Sequence, residues 1–218
     1  MKGKALLFAL LPLLLMGCWD IEDLNDRLLV LAAGVDQVEG GRLRLSLQVP
    51  IVEELLPSFG SPQVSEEPFA VLTGEGESVF AAVPTLQSKV QWTLFFGQLK
   101  AVLIAEELAA AGLKSSIDSF WRHPGVPPQA HVFLVKGEAV TMLKHVLWHK
   151  GVPASSLVTF FHVKGKRDQS FEQHLWRLVR NLYLSTQDAF LPILANGILL
   201  SFDLRSLFCN LIYCCYSL

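Results

Sequence analysis

The first eighteen residues decide which part of this chain folds and on which side of a membrane it does so. Lys2 and Lys4 precede an apolar run, residues 5–16, that is too short to span a bilayer. Gly17 is the small residue that signal cleavage requires, and Cys18 follows it directly. The pattern predicts a signal peptide over residues 1–17, cleaved after Gly17, and a mature chain that folds outside the cytoplasm.

The segment that ends in Cys18 resembles the bacterial lipobox. In that class of signal the cysteine thiol receives a diacylglycerol carrying fatty acids such as palmitate. Each buried methylene contributes about 0.8 kcal/mol, so a doubly acylated chain effectively does not leave the membrane. We therefore expect Cys18 to be the lipid attachment site of a chain that is tethered to the membrane without crossing it. An ordinary secretory leader followed by a structural cysteine is the alternative.

The charge of the mature chain argues against a nucleic-acid partner. Removing Lys2 and Lys4 from the 18 basic residues leaves 16 against 20 acidic ones, a formal charge of −4. The sequence has no basic cluster that could follow a phosphate backbone. About 200 mature residues suffice for one domain or one and a half.

Hydrophobic periodicity predicts a mixed α and β body. Strands are expected near residues 28, 43, 69, 100 and 131, and the second alternates apolar and polar residues as a strand with one wet face does. Gly40-Gly41 predicts a hairpin between the first two strands. Helices are expected over residues 79–90, 106–122, 138–149 and 171–184. Pro84 is expected either to kink the first helix or to mark its first turn, and Gly112 is expected to interrupt the second. The predicted fold class is α+β, with a mixed, largely antiparallel sheet and helices packed on it.

The predicted domain organisation has four parts. Residues 1–17 are the leader, 18–150 an N-terminal domain, 151–200 the start of a second α/β domain, and 201–218 an atypical tail. The boundary is set at Gly151-Val152-Pro153, where a predicted helix ends.

No arrangement of residues predicts catalysis, a cofactor or a metal. His145 and His149 have a spacing that can chelate zinc, but the glutamate of the metalloprotease motif is missing between them. His162 and His174 have no evident acidic partner, and Ser155-Ser156 lies in no nucleophile elbow. Adjacent glutamates are interpreted as solvated surface. Cys209, Cys214 and Cys215 lack zinc-site spacing, and with Cys18 committed to lipid the body of the chain has no cysteine for a disulfide.

The aromatic residues are the remaining candidates for binding. Trp19 is expected at the headgroup level of the membrane beside the acylated cysteine. The other tryptophans and their aromatic neighbours are expected in the core, with an exposed binding patch as the alternative; they are Trp92, Phe95, Phe96, Trp121, Trp148 and Trp176.

Several short segments also resemble one known family in their order. Gly17-Cys18-Trp19-Asp20 leads into an apolar run ending in Gly34-Val35-Asp36, and similar segments follow at residues 74–80, 94–100, 106–113, 120–124, 135–139 and 190–192. Together they resemble the C subunit of bacterial spore germinant receptors, the Ger(x)C lipoproteins, over about residues 17–200. Because members of that family continue through a large C-terminal domain, residues 201–218 are expected to be the end of a truncated or frameshifted product.

The resemblance implies a lipid-anchored, non-enzymatic subunit of a nutrient germinant receptor. Such a subunit works in spore germination with integral membrane subunits, on the extracytoplasmic face of the spore inner membrane. The alternative is a lipid-anchored extracytoplasmic solute-binding protein, for which the chain is short. An anchored hydrolase is a third possibility, without a nucleophile to support it.

Overall fold

The computed structural model of the chain describes residues 26–51, 69–144, 172–184, 190–195 and 198–199. Nine strands occur in these ranges: β1 (Arg27–Leu29), β2 (Ala32–Gln37), β3 (Leu43–Pro50), β4 (Phe69–Gly76), β5 (Thr93–Phe95), β6 (Ala101–Ala105), β7 (His131–Val135), β8 (Ile193–Ala195) and β9 (Ile198–Leu199). The helices in the same ranges are α1 (Val83–Gln87), α2 (Glu106–Arg122), α3 (Ala139–Lys144) and α4 (Leu175–Tyr183). Short 3-10 turns cover Glu39–Gly41, Phe80–Ala82 and Phe96–Gln98.

Seven strands form one mixed sheet in the order β4-β3-β2-β6-β7-β8-β9. The pairs β4-β3, β3-β2 and β8-β9 are antiparallel, whereas β2-β6, β6-β7 and β7-β8 are parallel. The short strands β1 and β5 pair in parallel as a separate two-stranded sheet. The predicted α+β class with a mixed sheet is confirmed, and among the described strands three pairs are antiparallel and four are parallel.

The hairpin predicted at Gly40-Gly41 is confirmed. Both glycines have φ of 75°, in the left-handed region that glycine enters at no steric cost. The turn brings β2 and β3 into an antiparallel register that pairs Gln37 with Leu43 and Ala32 with Gln48.

Both faces of the sheet centre are covered. On one face the strands meet Ile117 and Phe120 of α2 and Leu178 of α4. On the other face they meet Ala139 and Leu143 of α3. Every residue of β6 and β7 is buried, which is the usual environment of parallel strands.

The prediction that one face of β3 is exposed to solvent is wrong. Of the three polar residues of that face, Ser46 and Gln48 are fully buried and only Arg44 is partly exposed. They lie on the face that α3 covers, and Gln48 Nε2 donates a hydrogen bond of 2.9 Å to the carbonyl oxygen of Leu143. The alternating pattern predicted the strand correctly, but a helix distant in sequence shields its polar face.

Two helices begin or break where the sequence predicts. Pro84 lies in the first turn of α1, where a missing amide hydrogen costs nothing. Gly112 interrupts α2 with φ of 144°, a backbone conformation that L side chains rarely adopt.

The predictions of core positions for Trp121 and Trp176 are wrong. Trp121 on α2 is 45% exposed and Trp176 on α4 is 36% exposed, whereas Phe120 and Leu175 beside them are fully buried. Phe96 is buried as predicted, Trp92 and Phe95 are half-buried, and Trp148 lies outside the described residues.

Strands β8 and β9 lie beyond the boundary predicted at residue 151. They extend the same sheet next to β7, with Leu134 paired to Ile193 and Val135 to Leu194. The proposed boundary itself and residues 201–218 lie outside the described residues, so the domain division stays a prediction.

Replacing Phe120 by alanine should destabilise the fold far more than the same change at Trp121. Phe120 is fully buried between α2 and the sheet, so its removal leaves a cavity that costs about 3–5 kcal/mol. Trp121→Ala is the matched neighbouring control, with an expected change of about 1 kcal/mol or less because much of the indole is already in water. Urea unfolding of both variants measures the difference; equal losses would contradict this packing.

Candidate functional site

The residues predicted to anchor the chain lie outside the described residues. Gly17, Cys18 and Trp19 belong to this group, so cleavage, lipid attachment and the headgroup contact stay predictions. Also outside are the His145 and His149 pair, Ser155-Ser156 and the cysteines of the tail. Among the described helices, none is both long and apolar enough to cross a bilayer.

The Gly34-Val35-Asp36 segment occupies the central strand β2 and binds helix α3. Asp36 is 3% exposed, and its two carboxylate oxygens accept hydrogen bonds from the backbone amides of Ala139, at 2.5 Å, and Val140, at 3.0 Å. These amides belong to the first turn of α3, where backbone donors have no partner within the helix. Asp36 therefore acts as a helix cap supplied from a strand about a hundred residues away in sequence.

Gly34 allows the helix to approach the strand closely. A Cβ at this position would lie 2.9 Å from Leu143 Cδ1 and 3.1 Å from Ala139 Cβ, both closer than ordinary contacts. Gly34 and Asp36 thus both allow α3 to pack closely on the sheet. This packing role is sufficient to explain why glycine and aspartate occur at these two positions.

The electrostatic environment of Asp36 combines opposing effects. Burial raises the pKa of its carboxyl above the usual value, and the amide hydrogen bonds from Ala139 and Val140 act against that rise. Glu138 raises the pKa further and Arg44 lowers it.

A positively charged groove lies at the end of the β3-β4 pair. Arg42 and Arg44 lie 3.4 and 3.8 Å from the carboxylate of Glu75, and Lys89 Nζ donates to the carbonyl oxygen of Thr73 at 2.6 Å. Arg44 also lies 3.6 Å from Glu138. The ion pairs are exposed, so each contributes little to stability.

A cluster of two histidines and one glutamate lies where α4 joins the sheet. His131 Nε2 is 2.7 Å from Glu172 Oε1, and His174 Nε2 is 3.5 Å from the same oxygen. His174 Nδ1 lies 2.9 Å from the carbonyl oxygen of Gln129. The expectation that His174 lacks an acidic partner is therefore wrong, because Glu172 precedes it by two residues on the same extended segment.

Burial and charge act differently on the histidines. Burial lowers the pKa of His131, and the hydrogen bond to Glu172 acts against that change. A third histidine, His123, lies at the end of α2 and stacks on Phe80 with ring centroids 4.2 Å apart. Burial lowers the pKa of His123 as well. His123 is therefore a packed residue, whereas the His131 cluster is the one with converging polar atoms.

Sequence reasoning missed this cluster because its members are far apart in the chain. Forty-one residues separate His131 from Glu172. The predicted helix over residues 171–184 is also wrong at its start, because residues 172–174 are extended and α4 begins at Leu175. In this extended segment Glu172 and His174 alternate around Gln173 and so share a face. No pattern in the sequence indicates that His131 faces them.

The geometry defines a small α+β domain whose mixed sheet is covered on both faces and whose central strand caps a helix through a buried aspartate. The chain belongs to the family described as the spore germination protein N-terminal domain, whose model matches residues 20–196.

Curated relatives carry the same kind of name. The chain is 27% identical over 160 residues to spore germination protein A3 of Bacillus subtilis strain 168, covering 72% of this chain and 41% of the relative. It is 26% identical over 156 residues to the putative spore germination protein YfkR of the same organism, covering 71% and 40%. Spore germination protein KC, also of that organism, is 29% identical over 120 residues, covering 54% and 30%.

The chain spans about two fifths of the length of the first two relatives. No solved structure matches it.

Replacing Asp36 by alanine should destabilise the domain. The variant leaves the buried amides of Ala139 and Val140 without their acceptor, at a cost of about 1–3 kcal/mol for each. Asp118→Ala is the control: this exposed aspartate pairs with Arg122 and accepts a hydrogen bond from Tyr183, and because water screens both contacts its loss should destabilise the domain less. Chemical denaturation of both variants gives the comparison, and a loss no larger for Asp36 than for Asp118 would rule out the capping role.

Proposed function

We propose that this chain is a lipid-anchored, non-enzymatic subunit of a nutrient germinant receptor and acts in spore germination. The observation that carries the proposal is the family match over residues 20–196, which begins two residues after the predicted acylated Cys18. The order of leader, cysteine and family domain is what a membrane-tethered member of this family requires. The relatives named as spore germination proteins support the same assignment.

The anchor would hold the folded domain close to the membrane. Nine residues separate Cys18 from Arg27, where β1 begins. At no more than about 3.6 Å per fully extended residue, the Cα atoms of Cys18 and Arg27 lie within about 32 Å of each other. The small β1-β5 sheet is thus the part of the described structure that the tether restrains most tightly.

Such a tether also explains how a domain without catalytic chemistry contributes to a receptor. Confinement to a membrane surface raises its effective concentration toward other proteins in the same membrane, so interfaces of modest affinity suffice. We assign the partners to integral membrane subunits of the same receptor, at the extracytoplasmic face of the spore inner membrane.

The fold suits a role in assembly. Strands β6 and β7 are buried throughout, and α3 is fixed to β2 through Asp36 and to β3 through Gln48. These contacts give a pre-organised surface, and binding by a rigid surface loses less conformational entropy than binding by a mobile one.

Replacing Cys18 by serine should abolish acylation. The chain extracted from membranes is expected to lack residues 1–17 and to carry the added mass of a diacylglyceryl group at its first residue. The serine variant should lack that addition, because a hydroxyl does not replace the thiol that is modified. Intact-mass spectrometry reports both changes in one measurement.

Cys209→Ser is the matched control, since it removes a different thiol and should leave both the processing and the lipid mass unchanged. An unmodified mass for the original chain, or an unchanged lipid mass in Cys18→Ser, would overturn the anchoring part of the proposal.

A further inference from the structure

The His131, Glu172 and His174 cluster is a site that the proposed function does not use. His131 opens β7, and the other two residues lie just before α4. Their ligand-capable atoms all lie within 4.8 Å of one another. The arrangement stands on its own contacts and does not depend on the proposed role in germination.

Backbone pairing fixes the side chains on one face. His131 and His174 form an antiparallel bridge, with Val132 N donating to Gln173 O at 2.9 Å and Leu175 N donating to Ala130 O at 2.8 Å. In an extended segment alternate residues share a face, so Glu172 and His174 point to one side while Gln173 points to the other and is buried. The convergence is therefore set by the fold and not by a chance rotamer.

The hydrogen bond to Gln129 determines which nitrogen of His174 is available. A carbonyl oxygen only accepts hydrogen bonds, so Nδ1 must carry the hydrogen in the 2.9 Å contact with Gln129 O. In the neutral ring Nε2 then bears a lone pair, and it lies 3.5 Å from Glu172 Oε1. A histidine whose second nitrogen is held by a carbonyl is the usual orientation of a metal ligand.

The same oxygen of Glu172 faces two imidazoles. His131 Nε2 lies 2.7 Å from it, and the His131 ring also hydrogen-bonds the backbone of Lys100. The two imidazole nitrogens and the carboxylate oxygen thus converge, and a single cation placed among them would contact all three.

We propose that His131, Glu172 and His174 bind a divalent transition-metal ion of the zinc class. Two imidazole nitrogens and one carboxylate oxygen suit Zn²⁺ and its neighbours, whereas Mg²⁺ and Ca²⁺ prefer oxygen ligands. Ligand atoms around a tetrahedral zinc lie roughly 3.3 Å apart, as its bond lengths of about 2.0–2.2 Å require. The distances of 2.7 and 3.5 Å fall on either side of that value.

One side chain of the proposed site is buried, and the other two are accessible to solvent. The side chain of His131 is 8% exposed, and those of His174 and Glu172 are 22% and 34% exposed. An ion can enter from solvent, and water can complete its coordination. Because the ligands are separated by 41 residues of chain, the ion would tie the segment that leads into α4 to the edge of β7.

Cobalt binding tests the site on the full chain, purified in detergent and stripped of metal with a chelator. The original chain is expected to bind one Co²⁺ with the visible absorption of a four-coordinate nitrogen and oxygen site, and Zn²⁺ should displace the cobalt and raise the melting temperature. His174→Ala and Glu172→Gln should each weaken binding at least tenfold, since each removes one ligand.

The double variant His145→Ala with His149→Ala is the matched control, because it removes the other histidine pair with chelating spacing and should bind cobalt normally. The proposal is overturned if the folded original chain binds no cobalt, if the spectrum shows the charge-transfer bands of cysteine thiolate, or if only the control variant loses binding. A stabilisation that follows pH but not added metal would assign the cluster to a shared proton and equally overturn it. Circular dichroism establishes whether each variant is folded. If His174→Ala does not fold, His174→Asn replaces it in the cobalt experiment.

Discussion

The buried carboxylate of Asp36 is the contact on which the two-sided architecture depends. It lies on the central strand β2 and accepts two amide hydrogen bonds from the start of α3. That helix packs on one face of the sheet centre and shields the buried polar residues Ser46 and Gln48. Without the cap, the first amides of α3 would be buried without an acceptor, which would weaken the packing of this helix on the sheet.

Coverage of both faces in turn permits the parallel half of the sheet. Every residue of strands β6 and β7 is buried. Exposure of either face of these strands to water would therefore be unfavourable. Helix α2 connects them and packs on one face together with α4, while α3 occupies the other. Residues on both sides of the predicted boundary at 151 therefore contribute to a single described sheet, since α4 and β8 follow that boundary in sequence.

Much of this fold follows from local patterns in the sequence. Apolar runs and alternation predicted β2, β3, β4, β6 and β7, and glycine and proline predicted the hairpin turn, the break in α2 and the start of α1. These features depend on neighbours within a few residues, where steric preferences and periodicity are decisive.

Features that depend on distant residues could not be predicted in this way. The parallel register of β2, β6 and β7 depends on how the connecting segments cross the sheet. The burial of Ser46 and Gln48, and the exposure of Trp121, depend on which helix packs where. Gly34 and Asp36 were recognised through resemblance to a family, but their purpose becomes evident only when α3 lies against them.

The same limit applies to the candidate sites. Cys18 was predicted from a local leader pattern, and it lies outside the described residues. The histidine and glutamate cluster depends on pairing between His131 and a segment about forty residues later, so no spacing rule could find it. Local patterns thus favour the tether, and tertiary structure provides the metal-site hypothesis.

The central claim is that this domain works in spore germination as part of a membrane-held nutrient receptor. The most direct measurement is the rate at which spores lacking its gene lose optical density after nutrients are added. The account predicts a slower response to at least one nutrient, restored when the gene is returned, with unchanged germination under a treatment that needs no nutrient receptor. Identical nutrient responses with and without the gene, across all nutrients that germinate these spores, would contradict it.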